Sequence, residues 1–317
     1  MKLVAIKFRK GGGDALLHGA AVAAAALVLV LIVGLFTELV SHSRLSLGKF
    51  GLGFLWSAAW NPVTGDFGAA SSIYGTFVST LIALVIAIPL SFLVALFLVE
   101  IAHPRLAGPV SGAIEILAAI PSIIYGMWGL FVLAPYLADH IQPALEAVLG
   151  PVPVVGVLFS GPPMGIGVLP AGLILALMVL PFTTAVMRDV FQLVPRVVRE
   201  AAFGMGSTTW EVFRKVMVPF GRRGLVGAGF LGLSRAIGET MAVTFVIGND
   251  HRISASLFAS GNSIASTLAN EFTEAADPLY LSALVELGLV LLVITFLFQL
   301  AGNLWLNRLQ RKAGRGR

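Results

Sequence analysis

The chain has 317 residues, of which 57% are hydrophobic and only 12% are charged, and its mean hydropathy is +0.93. This composition excludes an ordinary soluble domain, and the absence of cysteine excludes disulfides and thiolate metal sites. The isoelectric point near 9.8 suggests a nucleic-acid partner only until the basic residues are placed along the chain.

Six apolar runs are long enough to cross a bilayer, because about 20 helical residues span a hydrocarbon core about 30 Å thick. We therefore predict an all-α integral membrane protein with six transmembrane helices. The predicted spans are residues 16–40, 73–99, 110–136, 164–187, 224–248 and 280–306. The first run is too long for a signal peptide and lacks a small-residue cleavage site, so we expect it to be retained.

The basic residues indicate the orientation of the chain. With six spans both termini lie on one side of the membrane, and 17 of the 21 Lys and Arg residues fall on that side. The positive-inside rule therefore places both termini and the two even-numbered loops in the cytoplasm: residues 1–15, 100–109, 188–223 and 307–317. The basic isoelectric point is a topology signal, and we expect no nucleic-acid partner.

This topology divides the chain into three parts. Residues 1–72 hold the N-terminal arm, the first transmembrane helix and an interfacial outside loop. Residues 73–306 form a five-helix core that includes the long cytoplasmic loop at 188–223, and residues 307–317 form a basic cytoplasmic tail. We expect no soluble domain.

Prolines interrupt several of the predicted spans, and AAIPSIIYGMWG at 118–129 is the clearest candidate for a helix break. A proline removes a helical hydrogen bond that lipid cannot replace, so neighbouring helices or water must satisfy the freed carbonyl. We therefore expect kinked helices packed against protein. Glu115 and Glu286 also lie in spans, where we expect packing or boundary roles.

The long cytoplasmic loop predicts two short helices joined by a glycine hinge. Pro195 is suited to a helix start, and the helix RVVREAAF is expected to end near Gly204 and Gly206. Thr208 and Glu211 have capping-box spacing and begin the second helix, which we expect Pro219 to end. Such a rigid projection suits docking to a soluble partner.

The same loop resembles the EAA loop of ABC importer permeases, written EAA-x3-G-x9-I-x-LP. The matching residues are Glu200, Ala201, Ala202, Gly206 and Pro219, with Val216 and Val218 in place of isoleucine and leucine. In that family small alanines let the helix enter a groove of the ATPase subunit, and the glycine permits the turn that follows. The resemblance implies that these five residues couple the chain to an ATPase.

The chain has no phosphate-binding loop of its own, because no lysine follows a glycine and precedes serine or threonine. The stretch GAGFLG at 227–232 fits a dinucleotide-binding pattern, but it lies in a span and follows no strand. We therefore expect a permease subunit that is not itself an enzyme and binds no cofactor, with ATP and Mg²⁺ on a partner subunit.

Two charged residues, Arg235 and Glu239, lie within the fifth predicted span. On a helical wheel they are about 40° apart, on a face of small residues that includes Gly224, Ala228, Gly232 and Ala242. Each charge near mid-bilayer costs about 2.5–3.5 kcal/mol on insertion scales. One interpretation is an ion pair that locks the helix to its neighbours. The other is a substrate pathway in which Arg235 binds an oxyanion and Glu239 prevents binding that is too tight for release.

Five further stretches resemble the phosphate importer permeases of the PstC type, and the resemblance covers about residues 48–300. They are WNPVTGDFGAASSIYGT (60–76), IEILAAIPSIIYGMWGLFV (114–132), FSGPPMGIGVLPAG (159–172), SRAIGETMAVTFVIGN (234–249) and GNSIASTLANEFTEA (261–275). The resemblance supports a transport role for Arg235 and Glu239, since SRAIGET matches there.

This resemblance implies a type I importer permease of the MetI-like fold in the bacterial inner membrane. It also implies a sister permease (PstA type), two ATPase subunits (PstB type) and an external phosphate-binding protein (PstS type), besides membrane lipid. Three alternatives stay open: import of another oxyanion or a phosphonate, an ion-coupled secondary transporter, against which the EAA-like loop argues, and a sensory or scaffold membrane protein.

Overall fold

The computed structural model describes residues 12–314, and within them the chain is helical and contains no β-strand. The part of the predicted arm before residue 12 and the end of the predicted tail, 315–317, lie outside the described residues. The α-helices are α1 (Gly12–His42), α2 (Arg44–Phe50), α3 (Ala70–Leu96), α4 (Pro104–Ala119), α5 (Ser122–Trp128), α6 (Ala134–Tyr136), α7 (Gln142–Leu149), α8 (Val168–Gln192), α9 (Arg196–Gly204), α10 (Thr209–Val212), α11 (Val218–Ile237), α12 (Met241–Thr244), α13 (Ile264–Glu271) and α14 (Pro278–Gly314). The predicted all-α membrane fold is confirmed.

Short helical segments of other types join or extend several of these elements. Two are 3₁₀-helical, Gly51–Leu55 and Gly156–Phe159, and four are π-helical, Phe97–Ile101, Gly129–Leu133, Leu137–Ile141 and Phe213–Met217. Because a π-helical segment continues a helix without breaking it, α5 to α7 form one long helix. In the same way α10 and α11 form one helix from residue 209 to residue 237.

Five stretches of the described residues are long and apolar enough to cross a membrane: Leu16–His42, Ala70–Ile101, Ser122–Leu149, Val168–Gln192 and Pro278–Arg308. The predicted continuous span at 224–248 is wrong, because α11 ends at Ile237 and only the four-residue α12 follows. Gly238 caps α11, and glycine is less favourable than alanine inside a helix by about 1 kcal/mol.

The predicted span at 110–136 is also wrong, whereas the break predicted within 118–129 is confirmed. Ile120 and Pro121 have extended backbones with ψ near 131° and 136°, so α4 and α5 are separate helices. The proline ring disfavours the helical conformation of the residue before it, which explains why the chain leaves the helix at Ile120.

The core lies around α8, of which about two-thirds of the apolar stretch is buried. Ala83 and Ala87 of α3 and Ala171 of α8 are fully buried in one cluster, since small side chains let the two helices approach closely. Ser91 of α3 donates a hydrogen bond to the carbonyl of Leu180 on α8, 3.0 Å away. In contrast, the apolar stretch of α1 has no buried residue, and this helix packs mainly on α14.

The cytoplasmic loop follows the predicted pattern up to its last element. Pro195 precedes α9, Gly206 has φ of +86°, and Thr208 and Glu211 form the predicted capping box at the start of α10. The prediction that Pro219 ends the second helix is wrong. Pro219 lies two residues after the π-helical segment Phe213–Met217, inside the helix that runs from residue 209 to residue 237, and a local π-helical turn accommodates a proline within a helix.

Candidate functional site

Arg235 lies in the last turn of α11 and is half-buried. Its Nε is buried and has no hydrogen-bond partner, and its guanidinium carbon lies 5.6 Å from the ring centroid of Phe182 on α8. None of the ion pairs among residues 12–314 includes Arg235. Within the described residues, Arg235 therefore contacts the face of the Phe182 ring, and no carboxylate compensates its charge.

Glu239 does not lie on the same helix as Arg235, because α11 ends at Ile237. Its Oε1 accepts a hydrogen bond from the backbone N–H of Ala242, at 3.3 Å, in the first turn of α12. The helical-wheel placement of Glu239 is therefore wrong, and the ion pair considered for the two residues is not formed in the described structure. The carboxylate of Glu239 therefore has a local backbone partner in the first turn of α12.

The small-residue face of α11 packs against α8. Ala228 and Ala236 are buried, and a Cβ added to Gly232 would lie 3.0 Å from Oγ1 of Thr183 on α8. These contacts favour close helix packing for this face, and they place Arg235 beside Phe182 of the same neighbouring helix.

Two interrupted helices meet beside Arg235. The break at residues 120–121 leads into α5, the break at 238–240 leads into α12, and α5 and α12 are in contact. A Cβ added to Gly126 of α5 would lie 2.8 Å from Phe245 and 3.0 Å from the Cα of Ala242, so only glycine permits this approach. Broken helices at membrane depth expose backbone polar groups and commonly line substrate sites.

The EAA-like residues do not all face the same way. Glu200 and Ala201 are exposed, and Glu200 forms no ion pair within the described part of the chain. Ala202 is only 5% exposed and packs into the apolar cluster below α9. Gly206 adopts its positive φ in an open turn, where an added Cβ would meet nothing within 4 Å. Only part of the motif is therefore presented to a partner.

Two further carboxylates of the predicted spans, Glu115 and Glu286, occupy different environments. Oε1 of Glu115 on α4 lies 2.9 Å from Nη2 of Arg188 on α8, and this ion pair fits the expected boundary role. Glu286 on α14 is buried at 3% exposure, and its Oε2 has no hydrogen-bond partner. Among the described residues no group of three or more metal-binding side chains could hold an ion.

Sequence reasoning missed a polar cluster in the outside segments, centred on Glu271 at the end of α13. Its carboxylate accepts hydrogen bonds from Nε1 of Trp60 at 2.6 Å and from the hydroxyl of Tyr280 at 2.7 Å, and it lies 2.8 Å from Nε2 of His251. The rings of Trp60 and His251 are stacked 5.0 Å apart. Burial raises the pKa of Glu271, but the hydrogen bonds from His251, Tyr280 and Trp60 outweigh burial and hold the pKa below its usual range.

Replacing Glu271 by glutamine is expected to lower the thermal midpoint of the detergent-purified chain by about 3–8 °C at pH 7, because buried donors lose their carboxylate. A depressed pKa means that the stability from Glu271 is fully present above the unfolded pKa of about 4.3, and that it is lost as pH falls through the folded pKa. The difference in thermal midpoint should therefore shrink between pH 7 and pH 3.5. The exposed Glu274→Gln variant is the control, and an equal difference at both pH values would contradict the prediction.

A family model described as a binding-protein-dependent transport system inner membrane component matches residues 87–314. The chain belongs to this family. It is thus a multi-pass inner membrane permease of the ABC importer type, and permeases of this type work with partner ATPase and permease subunits. The membrane location and the permease family expected from the sequence are confirmed.

Curated relatives cover nearly the whole permease. A phosphate transport system permease protein PstC of Mesorhizobium japonicum is 52% identical over 301 residues, covering 95% of this chain and 92% of that protein. The PstC protein of Haemophilus influenzae is 50% identical over 291 residues, covering 92% of each chain. A probable PstC protein of Methanocaldococcus jannaschii is 37% identical over 286 residues, covering 89% of each chain. The PstC-type resemblance is confirmed.

The fold has a counterpart among solved structures. An inward-facing form of the MetNI methionine ABC transporter superposes with a TM-score of 0.54, covering 78% of this chain and 94% of that chain at 20% identity. This likeness shows the fold alone, and it agrees with the MetI-like fold expected from the sequence.

Proposed function

We propose that this permease imports inorganic phosphate, taking it from an external binding protein and releasing it into the cytoplasm at the expense of ATP. The observation that carries the proposal is Arg235, a half-buried cation without an ion pair among residues 12–314, at the end of a broken helix. Such a cation is stabilised when an anion occupies the site. The relatives, which are phosphate transport permeases by name, supply the identity of the anion.

In this proposal Arg235 and Glu239 line the substrate pathway. The guanidinium of Arg235 donates paired hydrogen bonds to two phosphate oxygens, a geometry that lysine cannot reproduce. Glu239 follows the break at Gly238 and repels the anion, which keeps binding weak enough for release. The ring of Phe182 limits the access of water to one side of the guanidinium.

The partners follow from the same relatives and from the cytoplasmic loop. We place a PstA-type sister permease beside this chain, two PstB-type ATPase subunits below it and a PstS-type phosphate-binding protein outside. Glu200, Ala201, Ala202, Gly206 and Pro219 serve the coupling to the ATPase, which carries ATP and Mg²⁺. This chain then needs neither a cofactor nor a nucleic-acid partner, and lipid surrounds its spans.

Energy transfer in this proposal uses a continuous helix. The second helix of the coupling loop (188–223) runs without a break from α10 into α11 and ends beside Arg235. A helix of that length extends about 40 Å and transmits a displacement of one end to the other. The proposed core at 73–306 therefore joins the ATPase contact to the substrate pathway within one element.

The direct test is uptake by proteoliposomes that contain the purified complex of this chain with its co-expressed partners. We expect ATP-dependent accumulation of labelled phosphate that requires the external binding protein and an ATPase that copurifies with the chain. Competition by excess phosphonate or sulfate stronger than that by phosphate would assign a different substrate. Uptake driven by an ion gradient, without a copurified ATPase, would assign a secondary transporter.

A further inference from the structure

The coupling helix α9 has an inner face in addition to the exposed face that carries Glu200. Arg199 and Ala202 are three residues apart, so they lie on the same side of the helix. Ala202 is buried, and the side chain of Arg199 is only 18% exposed. The inner face therefore consists of a charged residue and a small residue, both directed toward the rest of the chain.

Arg199 forms an ion pair with a residue that is distant in the sequence. Its Nη1 lies 3.2 Å from Oε2 of Glu100, whose side chain is only 9% exposed. Glu100 belongs to the π-helical segment Phe97–Ile101, which extends α3 at its cytoplasmic end. The Nε of Arg199 is buried without a hydrogen-bond partner, so the bond to Glu100 is the main compensation for its charge in the described structure.

The surroundings of this ion pair raise the cost of breaking it. Ala202 packs in a cluster with Ala95 of α3, Phe191 of α8 and Phe213 of the π-helical segment before α11. This cluster is apolar, and charges near apolar surroundings are poorly screened by salt. Removing one charge of such a pair leaves the other buried and unpaired, which costs more than losing an exposed pair.

Short connectors alone would leave α9 free to roll about its own axis. Three residues, 193–195, join it to α8, and four residues, 205–208, join it to α10. The second connector contains Gly206, whose turn has open space around it. An apolar contact through one alanine fixes the roll of a helix poorly, whereas a directional hydrogen-bonded ion pair at a second point fixes it well.

We propose that the ion pair between Glu100 and Arg199 sets the rotational position of α9, aims Glu200 at the ATPase subunit and carries the displacement of α9 into α3. Both are positioning residues that act through Glu200 and through the packing of α3 on α8. The part of this inference that concerns transport rests on the proposed function, whereas the part that concerns the roll of α9 does not.

The roll is tested first, without any transport. The chain contains no cysteine, so the single variant Ala202→Cys reports the burial of the inner face through its rate of reaction with a water-soluble maleimide. In the detergent-purified chain, where no ATPase covers α9, we expect slow labelling in that background and labelling about 10-fold faster when Glu100→Arg or Arg199→Glu is added. The charge reversal, with both changes together, should return the rate to within about threefold of the starting value.

Transport is tested on the same single variants and the charge reversal, without the cysteine. We expect each single variant to assemble with its partners while phosphate uptake per ATP hydrolysed falls about 10-fold, and we expect the reversal to restore most of this ratio. Arg199→Lys keeps the charge, and its phosphate uptake per ATP hydrolysed should stay within about threefold of the wild type.

Three results would overturn the inference. The first is unchanged labelling and an unchanged uptake ratio in the single variants. The second is a charge reversal that behaves no better than the single variants. The third is a lower yield of assembled complex in which the complex that does assemble shows normal phosphate uptake per ATP hydrolysed. That result would assign the ion pair to stability alone. A wild-type complex without ATP-dependent phosphate uptake would instead overturn the proposed function, and the cysteine labelling would still decide the roll of α9.

Discussion

Arg235→Gln is expected to reduce phosphate uptake at least about 100-fold, because it removes the only cation that the described structure offers at the broken end of α11. Charge-assisted hydrogen bonds contribute about 1.5–3 kcal/mol each, and two of them to phosphate account for a loss of this size. Arg235→Lys should be nearly as inactive, since an ammonium cannot donate the paired bonds of a guanidinium. The measurement is ATP-dependent uptake of labelled phosphate by the reconstituted complex.

The control for Arg235 lies on the same helix. Arg222 is exposed near the cytoplasmic end of α11, so Arg222→Gln removes the same charge from the same element without touching the broken end. This variant should transport within about twofold of the wild type. Both variants should assemble with their partners and hydrolyse ATP when the binding protein is present. If the complex of Arg235→Gln does not assemble, the residue serves helix packing, and the pathway assignment is wrong.

Glu200→Lys is expected to detach the ATPase or to uncouple it, with uptake at least about 30-fold lower. Glu200 is exposed and forms no ion pair in the described part of the chain, so its charge is available to a partner. Reversing a charge at the centre of an interface replaces an attraction by a repulsion and costs about 2–5 kcal/mol. The measurements are copurification of the ATPase, its rate of hydrolysis and the uptake driven by it.

A charge reversal of the same kind on the outer surface separates coupling from a general effect of charge. Glu274 is exposed beyond α13, so Glu274→Lys should leave ATPase copurification unchanged. Normal ATP-driven uptake by the Glu200→Lys variant would contradict the assignment of the coupling loop.

Local rules were sufficient for part of the fold. The break before α5 was predictable because Pro121 constrains Ile120, and the capping box at Thr208 was predictable because its two partners are three residues apart. Hydropathy identified the chain as a membrane protein in the same way, since the hydropathy of a predicted span depends only on the composition of one run of residues. Each of these features is decided by residues that are neighbours in sequence.

The features that sequence reasoning missed depend on context. Apolar residues continue past Gly238, so hydropathy alone predicted one span where the chain breaks. Pro219 was expected to end a helix because the rule assumes an α-helical turn before it, whereas the preceding turn is π-helical. Trp60 and Glu271 are 211 residues apart, and no local pattern indicates that they are hydrogen-bonded.

In the candidate site, too, sequence reasoning found what is visible in a short stretch and missed what depends on the fold. The sequence pointed to Arg235 because a charge in an apolar run is visible without a structure. It could not show that Glu239 faces α12, because the helical wheel assumed a continuous helix. Nor could it show that Ala202 faces inward while Ala201 faces outward, because that depends on how α9 sits on the core.

The isolation of α1 has a consequence for the biogenesis of the chain. This helix packs mainly on α14, the last helix of the sequence, and none of its apolar stretch is covered by the segments made in between. Within this chain, α1 therefore gains its main packing partner only when α14 is made, after nearly all of the sequence has been translated. No acidic residue, lysine or arginine lies between Asp14 and Glu38, so insertion on its own carries no charge penalty during that wait.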